Sequence, residues 1–175
     1  MTTWLGIDPG GRETGIAVRR GDRLLAWAVT VRRGQDTTPP ADYVAAVAID
    51  ALAALADAGV AADDPALRVA SEDVRYWPGR SGHHCPACRG THVPARNMTG
   101  VLGAAIVHGA ILARWPATVI VPPGQGHGGL HGLAYPEPIR PSGRGHDRAR
   151  HARSAWDVTY HAETLAHRAA RADPT

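Results

Sequence analysis

The stretch Trp4-Leu-Gly-Ile-Asp8-Pro-Gly-Gly-Arg-Glu-Thr-Gly-Ile-Ala-Val18 decides the fold. An apolar run ends at Asp8, a Pro-Gly-Gly turn follows, and a second apolar run leaves from Gly15. This pattern predicts a β-hairpin with an acid at the end of its first strand. A carboxylate held by a sheet but open to solvent suits a hard divalent cation. Because Asp also caps turns, Asp8 is interpreted either as a metal ligand or as a turn cap.

The composition indicates a globular chain, which we expect to form one domain over residues 1–175. All 19 positive side chains are Arg, and the net charge of +3 leaves room for local Arg clusters that bind phosphates. The sequence has no apolar run of membrane length, no charged leader at its start, and only two Cys, which lie close together. We therefore expect a cytoplasmic protein without a secreted disulfide framework.

Periodicity along the chain predicts an alternation of strands and helices. Three strands are expected as a meander that ends at residue 31, and a helix follows that Gly59 ends. Two long loops, a Cys/His loop at 75–96 and a Gly/Pro/His-rich loop at 122–145, interrupt the second half of the chain. The helix that Gly59 ends covers 41–58. The remaining elements are a strand over 67–74, a helix over 97–114, a strand over 117–121 and a helix over 146–171.

A second pair of carboxylates, Glu72 and Asp73, comes at the end of the fourth predicted strand. Asp8 and Glu72 therefore both lie at the C-terminal ends of strands. If those strands are parallel neighbours, the two acids lie side by side. Like charges at such a distance need a cation between them or a raised pKa.

The loop at 75–96 contains the string His83-His84-Cys85-Pro-Ala-Cys88-Arg-Gly-Thr-His92. A Cys-x-x-Cys with a His four residues later has the spacing of zinc ligands. Cys85, Cys88 and His92, together with His83 or His84, could complete a tetrahedral zinc site. The alternative is a flexible loop with two free thiols. A redox role is less favoured, because no βαβ unit opens a helix at this motif.

The last predicted helix carries polar residues along one face at roughly 100° per residue. Such a face is normally the solvated one. That interpretation is weaker for His151 and Asp157, because Asp157 lies within a semi-apolar run and an acid in such a run needs a partner. The polar positions are Asp147, His151, Ser154, Asp157 and His161.

The order of elements and acids resembles the ribonuclease H-like nucleases. That fold is α/β, with a five-stranded mixed sheet (an antiparallel three-strand meander plus two parallel strands) flanked by helices. More closely, the chain resembles the RuvC family of Holliday-junction resolvases. The string His151-Ala-Arg-Ser-Ala-Trp-Asp157-Val is similar to the form found in bacteriophage and actinobacterial relatives. The motifs are Gly6-Ile-Asp8-Pro-Gly with Thr14-Gly15, then Glu72-x-Val74, then Asp157 on the last helix.

The resemblance implies Mg²⁺-dependent (or Mn²⁺-dependent) hydrolysis of four-way DNA junctions by a homodimer in a bacterial or phage-infected cytoplasm. Asp8 would bridge two ions about 3.5–4 Å apart. Glu72 and Asp157 would each help to hold one ion, and His151 would orient a ligand or the water. Residues 97–114, rich in small side chains, are the candidate dimer interface by analogy.

The chain departs from the family pattern on the last helix, where the family places two ligands three residues apart, Asp or His and then Asp. The residue three before Asp157 is Ser154, with His151 one turn earlier and Asp147 another turn back. Either Ser154 weakens the fourth ligand position, or His151 takes that role. The family's junction-binding lysines are absent, and Arg is expected to substitute. The expected DNA contacts are Arg75, Arg80, Arg89 and Arg96 on phosphates, with Tyr76 or Trp77 stacking on bases.

Three rival functions are distinguishable in principle. Actin-like ATPases and sugar kinases also begin with a Gly-x-Asp-x-Gly hairpin, but they need a second duplicated domain for which this chain is too short. A domain with a damaged metal site would bind branched DNA or a partner protein without cutting, and Ser154 favours that alternative. A related nuclease acting on RNA or replication intermediates is also compatible with the sequence.

Overall fold

The computed structural model describes residues 1–32, 41–74, 83–84, 91–92, 95–123, 135–141, 147 and 149–172. Over 83–84, 91–92 and 95–99 it describes the backbone alone. The described elements begin and end as follows: β1 Thr3–Asp8, β2 Glu13–Arg20, β3 Arg23–Val31, α1 Ala41–Asp57, β4 Leu67–Glu72, β5 His83–His84, β6 Thr91–His92, α2 Ala95–Arg114, β7 Val119–Val121, a 3₁₀ turn Glu137–Ile139 and α3 Arg150–Ala172.

The main sheet has five strands in the order β3-β2-β1-β4-β7. The first three strands pair antiparallel, whereas β4 and β7 are parallel to β1. The predicted five-stranded mixed sheet with flanking helices is therefore confirmed. A second, two-stranded sheet of β5 and β6 lies in the Cys/His loop, where the sequence showed no periodicity.

Side-chain alternation along β1 separates two layers of core. Leu5 and Ile7 pack with Val47 of α1 and Ile111 of α2 on one face of the sheet. The other face is covered by α3, and Trp4 packs there against Val158. All six residues of β1 are buried, as expected for a central strand covered on both faces. The residues of β1 that alternate with Leu5 and Ile7, including Asp8, therefore face α3.

Two glycines allow the backbone of α3 to lie directly on the sheet. A Cβ on Gly6 would meet the carbonyl oxygen of Ala155, and a Cβ on Gly15 would meet that of His151. Only the absence of a side chain permits an approach this close. Because Gly15 pairs with Asp8 across β1 and β2, this contact places the first turn of α3 beside Asp8.

The boundaries differ from the sequence prediction by a few residues. Helix α1 ends as predicted before Gly59, which has a φ of 66°. Helix α2 begins two residues earlier than expected, at Ala95, and α3 begins at Arg150 rather than at residue 146. None of the helices in the described part of the chain combines the length and the apolar character that crossing a bilayer requires.

Candidate active site

Two buried carboxylates lie side by side where β1 and β4 end. The parallel register pairs Ile7 with Ser71, so Asp8 and Glu72 are the next residues along two strands spaced about 4.8 Å apart. Both acids are buried, at 5% and 6% exposure. Ser71 bonds His108 of α2 on the opposite face, so Glu72, like Asp8, faces α3. The predicted adjacency of the two acids is therefore what the sheet provides.

The turn after Asp8 is fixed from two sides. The Thr14 hydroxyl lies 3.2 Å from the carbonyl oxygen of Gly10 and 2.9 Å from the Tyr43 hydroxyl. The Tyr43 hydroxyl also donates to the Gly10 carbonyl at 3.1 Å. Burial raises the pKa of Tyr43, so its phenol stays protonated as a hydrogen-bond donor. The turn that orients Asp8 is thus fastened to α1.

His151 of α3 lies between two carboxylates. Its Nδ1 is 2.7 Å from Oδ2 of Asp8, and its Nε2 is 3.2 Å from Oε2 of Glu13. The guanidinium of Arg150 also reaches Nε2, at 3.1 Å. His151 is therefore a residue of the last helix that the fold brings against Asp8.

Asp157 lies elsewhere on α3. It is two residues beyond Ala155, so the side chains of these two residues point about 200° apart around the helix. The Tyr135 hydroxyl donates to its Oδ2 at 2.7 Å, and Asp157 is 1% exposed. The sequence grouped Asp157 with Asp8 and Glu72, and this grouping stays a prediction; in the structure Asp157 is a buried acid on α3 that accepts a hydrogen bond from Tyr135.

The two remaining candidates for the fourth ligand also have distinct positions. Asp147 forms an ion pair with Arg153 and accepts a hydrogen bond from the backbone of Ala149. The Arg153 guanidinium lowers the pKa of Asp147, which therefore stays ionised and fastens the start of α3. Ser154 is 2% exposed and lies three residues after His151, on the adjoining part of the helix surface. Counted from His151, the position of the family's second helix acid is thus a neutral serine.

The predicted DNA-contact and zinc residues fall largely outside the described part of the chain. Arg75, Tyr76, Trp77, Arg80 and Arg89 lie outside it, as do Cys85 and Cys88, and for Arg96 only the helical backbone is described. The backbones of His83 and His92 are paired across β5 and β6.

The donor set at the strand ends fits a divalent cation, although it is not gathered around one point. Asp8 and Glu72 are hard oxygen donors held side by side by a buried sheet, and His151 adds an imidazole next to Asp8. Within the described residues, no three His, Cys, Asp or Glu side chains are arranged to hold a metal ion. In this structure the imidazole lies between Asp8 and Glu13.

Glu13 is the site residue that sequence reasoning missed. It lies two positions before Gly15 on β2, and residues two apart in a strand share a face. This alternation was visible in the sequence. The contact with His151 was not, because His151 lies near the far end of the chain and the contact depends on which face of α3 meets the sheet.

Structure comparison shows which fold this is. The chain is similar to Thermus thermophilus RuvC in complex with Holliday junction substrate, with 19% identity over 97% of each chain and a TM-score of 0.60. It is also similar to a second Thermus thermophilus RuvC structure, with 21% identity, 93% of this chain, 96% of that chain and a TM-score of 0.51. No protein-family model matches the chain, and no curated protein matches it significantly. The chain has the RuvC-like fold of the ribonuclease H-like nucleases.

Proposed function

We propose that the chain is a divalent-metal-dependent endonuclease that cleaves four-way (Holliday) DNA junctions by phosphodiester hydrolysis. The observation that carries this proposal is the adjacency of Asp8 and Glu72 on the α3 face of the sheet, in a fold that aligns over 97% of its length with a junction-bound resolvase. Such an enzyme would act in the cytoplasm, where branched DNA arises.

Asp8 and Glu72 would hold Mg²⁺ or Mn²⁺, and His151 would add a ligand beside Asp8. The family resemblance implies two ions, which supply the charge that lowers the pKa of a bound water and stabilises the leaving oxygen. The chain contributes rigidity. Both carboxylates stand on buried strands, and His151 is fixed by the contact between its own backbone and Gly15.

DNA affinity would come from the Arg residues between β4 and the first turn of α2. Arg75, Arg80, Arg89 and Arg96 would bind phosphates, and Tyr76 or Trp77 would stack on bases at the opened junction centre. Such binding weakens as salt rises, because each phosphate contact releases counterions. A salt titration of junction affinity tests this, and a slope unaltered by removing these arginines would contradict it.

The active form would be a homodimer, since a junction with two-fold symmetry is cut on two strands. Two large apolar side chains of α2, Leu102 and Ile106, are 60% and 38% exposed and support α2 as the interface. Light scattering of the purified protein should give twice the chain mass, and Leu102→Glu should reduce it to the mass of one chain.

The Cys/His loop would hold a structural zinc ion through Cys85, Cys88, His92 and His83. The backbone register supports this, because it pairs His83 with His92 and the two Cys fall within the six residues that connect those strands. Metal analysis of protein purified without chelator should find about one zinc per chain, lost in Cys85→Ser. Absence of zinc would leave the motif as two free thiols.

A second candidate function is a resolvase-like domain that binds branched DNA or a partner without cutting. It is favoured by Ser154, which stands where a second helix acid is expected. Cleavage of a labelled synthetic four-way junction, with Mg²⁺ and with chelator, separates the two candidates.

Symmetric, Mg²⁺-dependent nicks in the junction, with linear duplex left intact, are the expected result. Tight binding without any cut would support the second candidate. Cutting only of other branched DNA or of RNA would retain the metal site and change the substrate.

A further inference from the structure

We infer that Glu13 is a positioning residue that holds the His151 imidazole in the tautomer able to bind a metal ion beside Asp8. This inference rests on the proposed function, because it concerns the same metal site. Glu13 would not touch the metal or the DNA, since the imidazole ring separates its carboxylate from Asp8.

The sheet aims Glu13 at His151. Asp8 pairs with Gly15, and Glu13 lies two residues before Gly15 on the same face, beyond the end of β1. The α3 backbone rests on Gly15, so the imidazole of His151 lies between the two acids. Its Nδ1 faces Asp8 at 2.7 Å and its Nε2 faces Glu13 at 3.2 Å.

The hydrogen-bonding rules of a neutral imidazole allow two arrangements here. A neutral ring has one N–H donor and one acceptor nitrogen, carboxylates only accept, and guanidinium only donates. With hydrogen on Nδ1, the ring donates to Asp8 and Nε2 accepts from Arg150, whose guanidinium is 3.1 Å away. With hydrogen on Nε2, the ring donates to Glu13 and the lone pair of Nδ1 becomes free.

Only the second arrangement can bind a metal ion next to Asp8. A metal-ligating His generally donates its other ring N–H to a carboxylate, which fixes both the tautomer and the ring orientation. Glu13 is the carboxylate at that nitrogen, Nε2, whereas Arg150 at Nε2 and, without a metal ion, Asp8 at Nδ1 favour the opposite tautomer. At the same ring nitrogen, Nε2, Glu13 thus favours the tautomer that binds metal and Arg150 favours the tautomer that does not.

The test combines Mg²⁺ affinity, measured by calorimetry, with the ¹⁵N NMR shifts of the His151 ring, assigned by their loss in His151→Gln. Glu13→Leu removes the acceptor and should lower Mg²⁺ affinity about 10–100-fold. Glu13→Gln keeps an acceptor oxygen without the charge and should retain most of the affinity. Asp57→Asn, on the exposed end of α1, is the control for net charge.

The NMR readout is specific to positioning. In the Mg²⁺-loaded wild type and Glu13→Gln proteins the hydrogen should be on Nε2, and in Glu13→Leu that preference should be lost. In the metal-free protein, where Asp8 accepts from Nδ1, Arg150→Ala should raise the fraction of His151 that carries its hydrogen on Nε2; an unchanged fraction would contradict the inference even if Glu13→Leu does not fold.

Unchanged affinity and tautomer in Glu13→Leu would overturn the inference, as would equal losses in the Gln and Leu variants, because that pattern would indicate charge alone. If Asp8→Asn does not weaken Mg²⁺ binding, the proposed metal site itself fails, independently of Glu13.

Discussion

Buried charges are arranged differently at the two ends of the contact between α3 and the sheet. Toward the C-terminal half of the helix, Arg19 is 1% exposed, and its guanidinium donates to the Thr159 hydroxyl at 2.6 Å and to Glu163 at 2.7 Å. Toward the N-terminal end, Asp8 and Glu72 are buried on neighbouring strands, so charges of one sign are gathered together.

The Arg19 end is neutralised within the chain. The guanidinium also donates to the Gly21 carbonyl at 2.8 Å and lies 3.9 Å above the ring of Tyr160. Burial raises the pKa of Tyr160 to about 12, and its hydroxyl donates to Asp22 at 2.9 Å. A buried cation with this many partners is a structural feature.

The difference supports a structural role for the charges at the Arg19 end and the proposed metal-binding role for the acids at the Asp8 end. One helix and one sheet create both environments, so burial alone does not mark the functional end. The sign of the charge does, because adjacent carboxylates need a cation between them or a raised pKa, whereas paired opposite charges need neither. Substitutions at the two ends should therefore have different consequences.

The largest effect is expected for Asp8→Asn. Removing one of two adjacent negative charges should lower junction cleavage by about 10²–10³-fold or more, the range for losing one group that stabilises transition-state charge. Junction binding and thermal stability should stay at wild-type level or rise. Cleavage assays and thermal melts on the same samples check this, and retained cutting would remove Asp8 from the site.

Arg19→Met should instead lower the stability of the fold and leave junction cleavage in place. It should destabilise the fold by about 2–4 kcal/mol, less than for a fully buried pair because Glu163 is 31% exposed. Cleavage below the melting temperature should persist. Denaturant unfolding measures the loss, with Arg20→Met, at the neighbouring exposed position, as the matched control. Similar losses in both variants would show that the buried pairing of Arg19 is not what matters.

Gly15→Ala should lower both the stability of the fold and the rate of junction cleavage. The added Cβ would meet the carbonyl oxygen of His151, so α3 must shift, at a cost of about 1–3 kcal/mol. Cleavage should fall with it, because His151 moves away from Asp8. Gly109→Ala on α2, where a Cβ meets nothing within 4 Å, is the control and should be neutral or slightly stabilising. Full activity in Gly15→Ala would mean that the position of His151 is not critical.

A smaller, pH-dependent effect is expected from His108, which bonds Ser71 beneath the strand that carries Glu72. Burial lowers the pKa of His108 from 6.5. As pH falls below 6.5, the unfolded chain binds a proton that the folded chain does not, so stability decreases until the folded pKa is passed. Unfolding free energies at pH 7.5 and 5.5 should differ less in His108→Asn than in wild type. An identical difference would exclude His108 as the cause.

The smallest effect on cleavage is expected for Asp157→Asn. Its amide oxygen can still accept the hydrogen bond from Tyr135, and Asp8 has its 2.7 Å contact with His151. Cutting should remain near wild type. A loss as large as that of Asp8→Asn would return Asp157 to the metal site and contradict the assignment of His151.

The sheet and its two strand-end acids were predictable because they depend on local signals. The turn after Asp8, the alternating apolar residues and the acid at Glu72 specify strands, and the strand order places the acids together. The phase of α3 was not predictable in the same way. Its polar residues cover a broad arc, and which edge of that arc meets the sheet depends on Gly6 and Gly15 contacting the helix backbone.

That phase explains why His151 lies against Asp8. The sequence predicted both His151 and Asp157 as site residues; Asp157 is an acid within a semi-apolar run, and in the structure it is buried and accepts a hydrogen bond from Tyr135. Glu13 was missed for a related reason, since its partner lies on the last helix. Contacts between distant segments decide these side-chain roles.

The most direct test of this account is a crystal structure determined with Mn²⁺, using the anomalous scattering of the metal to locate it. We expect a peak within about 2.5 Å of carboxylate oxygens of both Asp8 and Glu72. A peak coordinated by Asp157, or no peak at the ends of β1 and β4 at saturating Mn²⁺, would contradict the claim that this end of the helix–sheet contact holds a catalytic cation.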